Sequence, residues 1–432
     1  MRYCVILGEL VLFNLKEEGL INLNVLELFA GVGGFRVGLE KASPTLKTLW
    51  SNQFEPLRKS QDAFEVYNYH FPDSENWNED ITKISDERFS ALRGEVDLIV
   101  GGFPCQDYSV ARTKKDEKGI EGKKGVLFWE IIRATRLSQP KYLLLENVDR
   151  LLKAPSKQRG RDFAIMLRAF ADLGYGVDWR VVNPADYGWC QRRKRVFLFV
   201  YRKDTDYFTQ QQALNDFGVG TSGIFESTHE TKAEIIKDRA LSFTLPEDIV
   251  EVSDSFSTQF WNSGSMIEGK VITKELEPYY DGASLVLRDV LENPSDLPQE
   301  LYLSEDKVNK FRYLRGAKKF ERTNSEGFTY IYSEGAMALV DSADLPSRTL
   351  LTSEGSISRT THLIEDEKGY RLLTPLETER LQGFPDNWTQ VKLSKGKEVT
   401  VSDTRRKFFM GNALVVEVVE HLGRYIADNL DW

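Results

Sequence analysis

The sequence has 432 residues, with 57 Lys and Arg against 66 Asp and Glu, and a formal net charge of −9. Hydrophobic residues make up 41% and charged residues 28%, which excludes a disordered, collagen-like or low-complexity chain. At ~150 residues per domain, this length predicts roughly two or three domains.

The cysteines and histidines indicate neither a disulfide framework nor a metal site. Cys4, Cys105 and Cys190 are too few and too scattered for either. The histidines lack the i,i+4 pairing and neighbouring ligands that a metal needs. They are His70, His229, His362 and His421. We expect a reducing compartment and no metal.

Positive charge is concentrated in three stretches, at 114–124, 192–195 and 307–322. One such stretch would be typical of a solvated surface, but three in an acidic chain favour a focused basic surface. The apolar stretch 5–15 is too short to span a bilayer, which needs ~20 apolar residues, and no cleavage site follows it. We therefore expect residues 1–22 to be an N-terminal extension of a protein of the cytoplasm.

From residue 23, short apolar runs alternate with amphipathic segments. This pattern predicts an α/β fold with a doubly wound, mostly parallel sheet. Strands are predicted at Val25–Phe29, Leu46–Trp50, Asp97–Gly101, Lys141–Leu145, Trp179–Val182 and Val196–Tyr201. An apolar stripe predicts a helix over Arg161–Leu173, with Gly174 as its C-terminal glycine. Pro56, which follows Glu55, predicts the first turn of another helix.

The character of the sequence changes between residues 203 and 345, which we predict to be a smaller inserted domain of mixed or mainly β structure. Short strands are predicted at Lys270–Thr273, Ser284–Leu287 and Phe328–Tyr332. Thr374–Glu377 then forms a capping box, and Leu414–Asn429 is an amphipathic helix. The first domain, 23–202, is therefore predicted to be completed by residues 346–432.

A glycine-rich segment, Phe29–Phe35, lies between a predicted strand and a predicted helix. Glycines there allow the backbone to approach a ligand, and a helix N-terminus offers it N–H groups. A tight turn alone would also explain the glycines. Because the spacing is not that of an ordinary dinucleotide fingerprint, a nucleoside-like ligand is favoured.

Two reactive side chains follow predicted strands. A lone cysteine is usually a small buried apolar group, but Cys105 ends a strand just before a basic loop, where nearby cations favour the thiolate of a nucleophile. Glu146 ends the next apolar strand, where partial burial can keep a carboxyl protonated. A helix cap or a surface acid is an equally ordinary role for Glu146.

Arg193 and Arg195 alternate at the start of the last predicted strand, after Gln191. Residues two apart in an extended chain face the same side, so both guanidinium groups could reach a phosphate or a base oxygen. A solvated basic edge strand is the alternative.

In this order, the motifs resemble the DNA (cytosine-5)-methyltransferase family. The resemblance rests on Pro104-Cys105-Gln106, on Glu146-Asn147-Val148 and on Gln191-x-Arg193-x-Arg195. It continues through 371–375, 380–385 and 411–415, and covers nearly the whole chain except the first two dozen residues and much of the middle region.

The resemblance implies S-adenosylmethionine as the cofactor. The residues that match the family's cofactor pocket are Phe29, Ala30, Gly31, Gly33, Gly34, Phe35, Gln53, Phe54, Asp80, Ile81, Pro104, Leu127, Asn412 and Ala413. At the position of Gln53 the family usually has an acid that binds the ribose hydroxyls. The amide of Gln53 is a weaker acceptor, and Glu55 is the other candidate.

The resemblance also implies a covalent mechanism on a cytosine flipped out of duplex DNA. Cys105 would attack C6, Glu146 would bind the N3 and amino edge, and Arg195, with Arg193 and Gln191 nearby, would hold O2 and the catalytic loop. Residues 106–124 would form a lid over this site.

Residues 203–345 would be the target recognition domain, with 307–322 as a DNA-facing element. The expected partners are duplex DNA and a restriction endonuclease that acts on the same site, and the expected state is a monomer in the bacterial cytoplasm. A tRNA cytosine-5 methyltransferase and a catalytically silent DNA-binding regulator are the alternatives. A dehydrogenase is disfavoured because the ordinary dinucleotide fingerprint is missing.

Overall fold

The computed structural model describes residues 22–103, 126–232, 239–323 and 327–431. Its largest element is a sheet of ten strands in the order β3-β2-β1-β4-β5-β7-β6-β9-β10-β8. These strands are β1 (Leu23–Leu28), β2 (Leu46–Asn52), β3 (Glu75–Trp77), β4 (Leu98–Gly102), β5 (Tyr142–Val148), β6 (Tyr175–Val182), β7 (Arg195–Arg202), β8 (Ala240–Thr244), β9 (Ser263–Ile267) and β10 (Lys270–Lys274).

Half of the sheet is parallel and half is antiparallel. Strands β3, β2, β1, β4 and β5 run parallel, whereas β7 lies antiparallel between β5 and β6. The parallel strands β4 and β5 are continuous apolar runs because helices cover both of their faces. The structure confirms the predicted α/β, doubly wound fold.

The helices of the described ranges are α1 (Gly34–Ala42), α2 (Asp62–His70), α3 (Asp86–Ser90), α4 (Val126–Ser138), α5 (Arg161–Asp172), α6 (Asp206–Ala213), α7 (Ile224–Thr228), α8 (Ile249–Ser255), α9 (Glu305–Arg315), α10 (Pro375–Leu381), α11 (Asp403–Asn412) and α12 (Val416–Asn429). None of them is long and apolar enough to cross a membrane.

The sheet separates two large apolar clusters. On one face, the apolar stripe of α5, which includes Phe163 and Phe170, packs with side chains of α4. On the other face, α12 of the C-terminal segment packs against α1. The two helices approach closely at Gly38, where a Cβ atom would lie 2.7 Å from Cβ of Val419. The C-terminal segment therefore covers strands formed by the beginning of the chain.

Part of the predicted inserted domain extends this sheet. Strand β9 pairs with β6, and β10 and β8 follow it outward. The described residues also form three small two-stranded sheets: β11 (Lys318–Thr323) with β12 (Thr329–Glu334), β13 (Ile364–Asp366) with β14 (Gly369–Arg371), and β15 (Val391–Ser394) with β16 (Lys397–Thr400). The boundaries at 203 and 345 stay predictions.

Two local predictions were wrong. Pro56 lies in a turn, and the helix begins only at Asp62, because the side chain of Gln61 closes the loop on the backbone N–H and carbonyl of Glu55, at 2.8 and 3.0 Å. Residues 284–287 form no strand. Their backbone instead forms hydrogen bonds to two separate segments of the chain. The N–H of Leu285 donates to the carbonyl of Gly188, and the N–H of Leu287 donates to the carbonyl of Leu345.

Candidate active site

The parallel strands end at one edge of the sheet, where the loops after β1, β2 and β3 are tied together. The backbone N–H of Ala30 donates to the carbonyl of Asn52 at 3.0 Å. The side-chain amide of Asn52 in turn donates to the carbonyls of Trp77 and Glu79, at 3.1 and 2.9 Å. The predicted cofactor residues of all three loops therefore share one edge.

The segment Phe29–Phe35, hereafter the glycine loop, turns sharply into α1. Gly31 and Gly33 have φ angles of 57° and 93°, in the left-handed region that glycine adopts without strain. Gly33 is the N-cap residue of α1 and carries no side-chain cap. The first N–H groups of α1 are therefore available to an anionic group.

Two distant side chains hold the glycine loop. The N–H of Gly31 donates to Oε1 of Gln53 at 2.8 Å. The indole N–H of Trp388 donates to the carbonyl of Val32 at 2.7 Å, and its ring stacks on His70 with 3.6 Å between the ring centroids. Trp388 was not predicted as a site residue, and its one signal in the sequence is its place three residues after Pro385.

Glu55, the other candidate for the ribose, faces a different region. Its carboxylate accepts the N–H of Ala63 at 3.2 Å, at the beginning of α2, and forms an ion pair with Arg405 of α11. Arg405 also pairs with Asp62 at 3.0 Å. Glu55 therefore links α2 to α11, whereas Gln53 contacts the glycine loop.

The other predicted cofactor residues lie around the same edge. Oδ1 of Asp80 accepts hydrogen bonds from the N–H and hydroxyl of Thr82, at 3.1 and 2.9 Å. Ile81 is buried, and Phe54 and Leu127 are half-buried. Asn412 is exposed at the end of α11. Ala413 packs against the apolar cluster that contains Ala30 and Val32.

Glu146 and Arg195 form an ion pair at the end of β5. Nε of Arg195 lies 2.8 Å from Oε1 of Glu146, and the two side chains are only 18% and 13% exposed. Burial raises the pKa of the Glu146 carboxyl, and the positive charges of Arg195 and Arg193 partly oppose this. Glycine at 102 leaves room for the carboxylate, since a Cβ there would lie 3.2 Å from Oε2 of Glu146.

Asn147, the neighbour of Glu146, holds the carbonyl of Phe103. Its side-chain amide donates to the carbonyl of Phe103 at 2.9 Å, in a buried hydrogen bond. Phe103 immediately precedes Pro104 and Cys105, which lie outside the described residues, as do residues 106–124. Asn147 therefore fixes the last described residue before that segment, a role that was not predicted from the sequence.

Gln191 and Arg193 are buried and reach the C-terminal segment. The amide of Gln191 donates to the carbonyl of Leu381 at 3.0 Å and accepts the N–H of Leu350 at 3.1 Å. The guanidinium of Arg193 donates to the carbonyls of Leu350 and Gly411, at 2.9 and 3.0 Å. Of the three polar residues predicted in this motif, Arg195 is therefore the one paired with Glu146.

Known proteins resemble this chain along most of its length. Residues 23–428 match the family model of C-5 cytosine-specific DNA methylases. Type II methyltransferase M.Sau3AI of Staphylococcus aureus is 48% identical over 94% of this chain and 95% of its own. Type II methyltransferase M.HpaII of Haemophilus parainfluenzae is 25% identical over 96% of this chain and 91% of its own.

Among solved structures, the Dnmt2 methyltransferase of S. pombe superimposes with a TM-score of 0.56 at 16% identity, covering 93% of this chain and 96% of that one. This likeness concerns the fold. The family-model match, together with the relative at 48% identity, shows that the chain belongs to the C-5 cytosine-specific DNA methylase family.

Proposed function

We propose that the protein methylates C5 of a cytosine flipped out of a specific sequence in duplex DNA, as the modification enzyme of a type II restriction–modification system. The observation that carries this proposal is the partly buried Glu146–Arg195 pair. It lies beside Asn147, which holds the chain that leads into Pro104-Cys105. Attack on a pyrimidine requires a recessed acid, which Glu146 supplies, and a nucleophile, which we assign to Cys105.

S-adenosylmethionine fits the residues at the glycine loop. The uncapped N-terminus of α1 suits its carboxylate, and Gln53 and Asp80 offer polar groups to its ribose and adenine. Gln53 is the better candidate for the ribose, because Glu55 is engaged by Arg405 and by the N–H of Ala63. When bound, S-adenosylmethionine supplies the methyl group.

The protein's own residues activate the cytosine. The thiolate of Cys105 would add to C6, which places electron density on C5. Because burial raises the pKa of Glu146, this carboxyl can hold a proton for N3 of the base, where negative charge develops as C6 is attacked. Arg195 would orient the carboxyl of Glu146 and contact O2 of the base. Loss of the C5 proton would then release Cys105.

Arg193 and Gln191 would position this pair without contacting the base. Their buried hydrogen bonds fix the start of β7 against residues of the C-terminal segment. A base inside a duplex cannot reach a site recessed in this way, so the target cytosine would have to be flipped out of the helix. Flipping would cost a few kcal/mol. Residues 203–345 would serve as the target recognition domain.

Trapping by 5-fluorocytosine tests the proposal. Fluorine at C5 prevents the last elimination, so duplex DNA with 5-fluorocytosine should form an irreversible adduct in the presence of S-adenosylmethionine. Cys105→Ser should abolish the adduct. Cys190→Ala is the matched control, because Cys190 is buried and burial raises the pKa of its thiol to about 12.

Two outcomes would contradict the proposal. If Cys105→Ser forms the adduct as well as the wild type, the nucleophile is wrong. If a labelled methyl group is transferred to tRNA and never to duplex DNA, the substrate is wrong.

A further inference from the structure

The small sheet of β11 and β12, hereafter the ribbon, projects from the fold with an unusual surface. Its six pairs run from Lys318 opposite Glu334 to Thr323 opposite Thr329. Ile331 is 62% exposed, and Tyr313, just before the ribbon, is 72% exposed. A two-stranded sheet is at best marginally stable alone, and exposed apolar groups on such an element mark a contact surface.

The two faces of the ribbon differ, because side chains alternate along a strand. The inner face carries basic and aromatic groups in contact with each other. The guanidinium of Arg322 lies 4.1 Å from the ring centroid of Tyr332, and Nζ of Lys318 lies 4.7 Å from that of Tyr313. These contacts engage the cations of the inner face within the ribbon and with Tyr313, although Phe320, Arg322 and Tyr330 remain exposed.

The outer face is open. It consists of Lys319, Glu321, Thr323, Thr329, Ile331 and Ser333. All six are exposed, and within the described part of the chain neither Lys319 nor Glu321 makes an ion pair or a side-chain hydrogen bond. In DNA recognition, Lys donates to guanine, Glu accepts from the cytosine amino group, Thr and Ser pair with any base, and an apolar group contacts the thymine methyl. The outer face therefore offers a contact for each kind of base edge.

Shape and charge favour duplex DNA over a protein partner. The major groove is wide enough to admit a two-stranded antiparallel ribbon. Residues 305–334, which comprise α9 and the ribbon, include seven basic and five acidic residues, a formal charge of +2 in a chain whose net charge is −9. This local positive charge suits a polyanion.

Two arginines, the half-buried Arg359 and the buried Arg315, connect the ribbon to the segment 347–362. Arg359 donates to the carbonyls of Leu314 and Gly316 before the ribbon, at 2.7 and 3.3 Å, and to that of Gly335 after it. The guanidinium of Arg315 is buried and donates to the carbonyl of Thr361 at 2.6 Å. One anchoring segment, 347–362, thus holds the ribbon.

The anchoring segment also touches the motif that contains Arg195. The N–H of Arg192 donates to the carbonyl of Ser347 at 2.8 Å, and Arg193 donates to Leu350. The position of the ribbon is therefore coupled to that of the Glu146–Arg195 pair. A groove contact at the ribbon would set which cytosine reaches that pair.

We propose that the outer face of the ribbon enters the major groove and reads bases of the target sequence, with Lys319 and Glu321 as specificity-determining residues. This inference rests on the proposed function and adds the element that selects the sequence. Phosphate contacts alone would not select a sequence, because the backbone is the same at every site.

The test is methylation of a duplex library of random sequence, followed by bisulfite sequencing of the products. The purified full chain is compared as wild type, as K319A/E321A and as K397A/E398A. The last is a matched control, because Lys397 and Glu398 are an exposed Lys and Glu on another two-stranded sheet, β15–β16. The thermal unfolding midpoint of each variant is measured in parallel.

We expect K319A/E321A to lose preference for the correct base by about tenfold at one or more positions of the motif, while K397A/E398A keeps the wild-type motif and rate. The inference is overturned if K319A/E321A keeps the wild-type motif, whether its overall rate is unchanged or uniformly lower. A wild type that methylates no duplex at all defeats the proposed function, and this inference with it. A wild type that methylates every cytosine equally defeats this inference and the sequence specificity of the proposed function, whereas methyl transfer to C5 of cytosine in duplex DNA stands.

Discussion

The glycine loop and the Glu146–Arg195 pair lie at the same edge of the sheet but are constructed differently. The glycine loop presents backbone groups, held by Gln53 and Trp388 from other parts of the chain. The Glu146–Arg195 pair presents a carboxyl and a guanidinium group on adjacent strands. One region offers a shape for a ligand, and the other offers a proton and a charge.

This difference predicts how each region responds to substitution. A change in the Glu146–Arg195 pair removes the proton donor to the base or the guanidinium that orients it. A change near the glycine loop removes one of several neutral hydrogen bonds, each worth about 1 kcal/mol. We therefore expect large effects on rate at the pair and small effects on affinity at the loop.

The largest effect is expected for Glu146→Gln. The amide cannot give a proton to N3, so the rate of methyl transfer to duplex DNA should fall about a thousandfold. The affinity for S-adenosylmethionine should stay within twofold, since the loops that would bind it lack Glu146. Transfer of a tritiated methyl group and isothermal titration calorimetry measure the two quantities.

The control for this prediction is Glu95→Gln, an exposed acid ahead of β4. Because burial raises the pKa of Glu146, the wild-type rate should fall as the pH rises through that pKa, when the proton is lost. The Gln variant should lack this descending limb. A loss of less than tenfold in rate would contradict the role of Glu146.

The second largest effect is expected for Arg193→Met, and it concerns stability. The buried carbonyl of Leu350 and the half-buried carbonyl of Gly411 lose their donors, which should lower the free energy of unfolding by about 3 kcal/mol. Arg192→Met is the matched control, because Arg192 is the exposed neighbour. Urea unfolding measures both. Equal stability of the two variants would show that Arg193 has no buried structural role.

Sequence alone could predict the parts of the site that depend on short motifs. The glycine loop follows β1, Glu146 lies near the end of β5, and Arg195 begins the antiparallel β7, so the topology brings all three to one edge of the sheet. The contacts that support them were not predictable. Val32 and Trp388 are 356 residues apart, and nothing local indicates that they meet.

Local rules also failed where a distant or competing contact was stronger. Pro56 satisfies a rule for helix starts, yet the bonds between Gln61 and Glu55 delay the helix to Asp62. Arg193 and Arg195 were predicted as a pair from their spacing. In the structure Arg193 is buried because it donates to carbonyls more than 150 positions away along the chain. This burial lowers the pKa of its guanidinium to about 9.

A smaller effect is expected for Trp388→Phe. Phenylalanine keeps a ring to stack on His70 but cannot donate to Val32, so the glycine loop loses one support. The dissociation constant for S-adenosylmethionine should rise about fivefold, measured by calorimetry. Trp179→Phe is the control. It removes an indole that donates to the carbonyl of Trp261, in another part of the sheet. Equal affinities in the two variants would mean that the support of Val32 is irrelevant to binding.

The smallest effect is expected at Gln53, where two variants should act in opposite directions. Gln53→Glu keeps an acceptor for the N–H of Gly31 and adds a charge that strengthens bonds to ribose hydroxyls, so the dissociation constant for S-adenosylmethionine should fall about threefold. Gln53→Ala should raise it about threefold. Glu55→Gln should leave it unchanged, because Glu55 pairs with Arg405. If Glu55→Gln weakens binding while both Gln53 variants bind as the wild type does, Glu55 is the ribose ligand and the loop after β2 rearranges to free it.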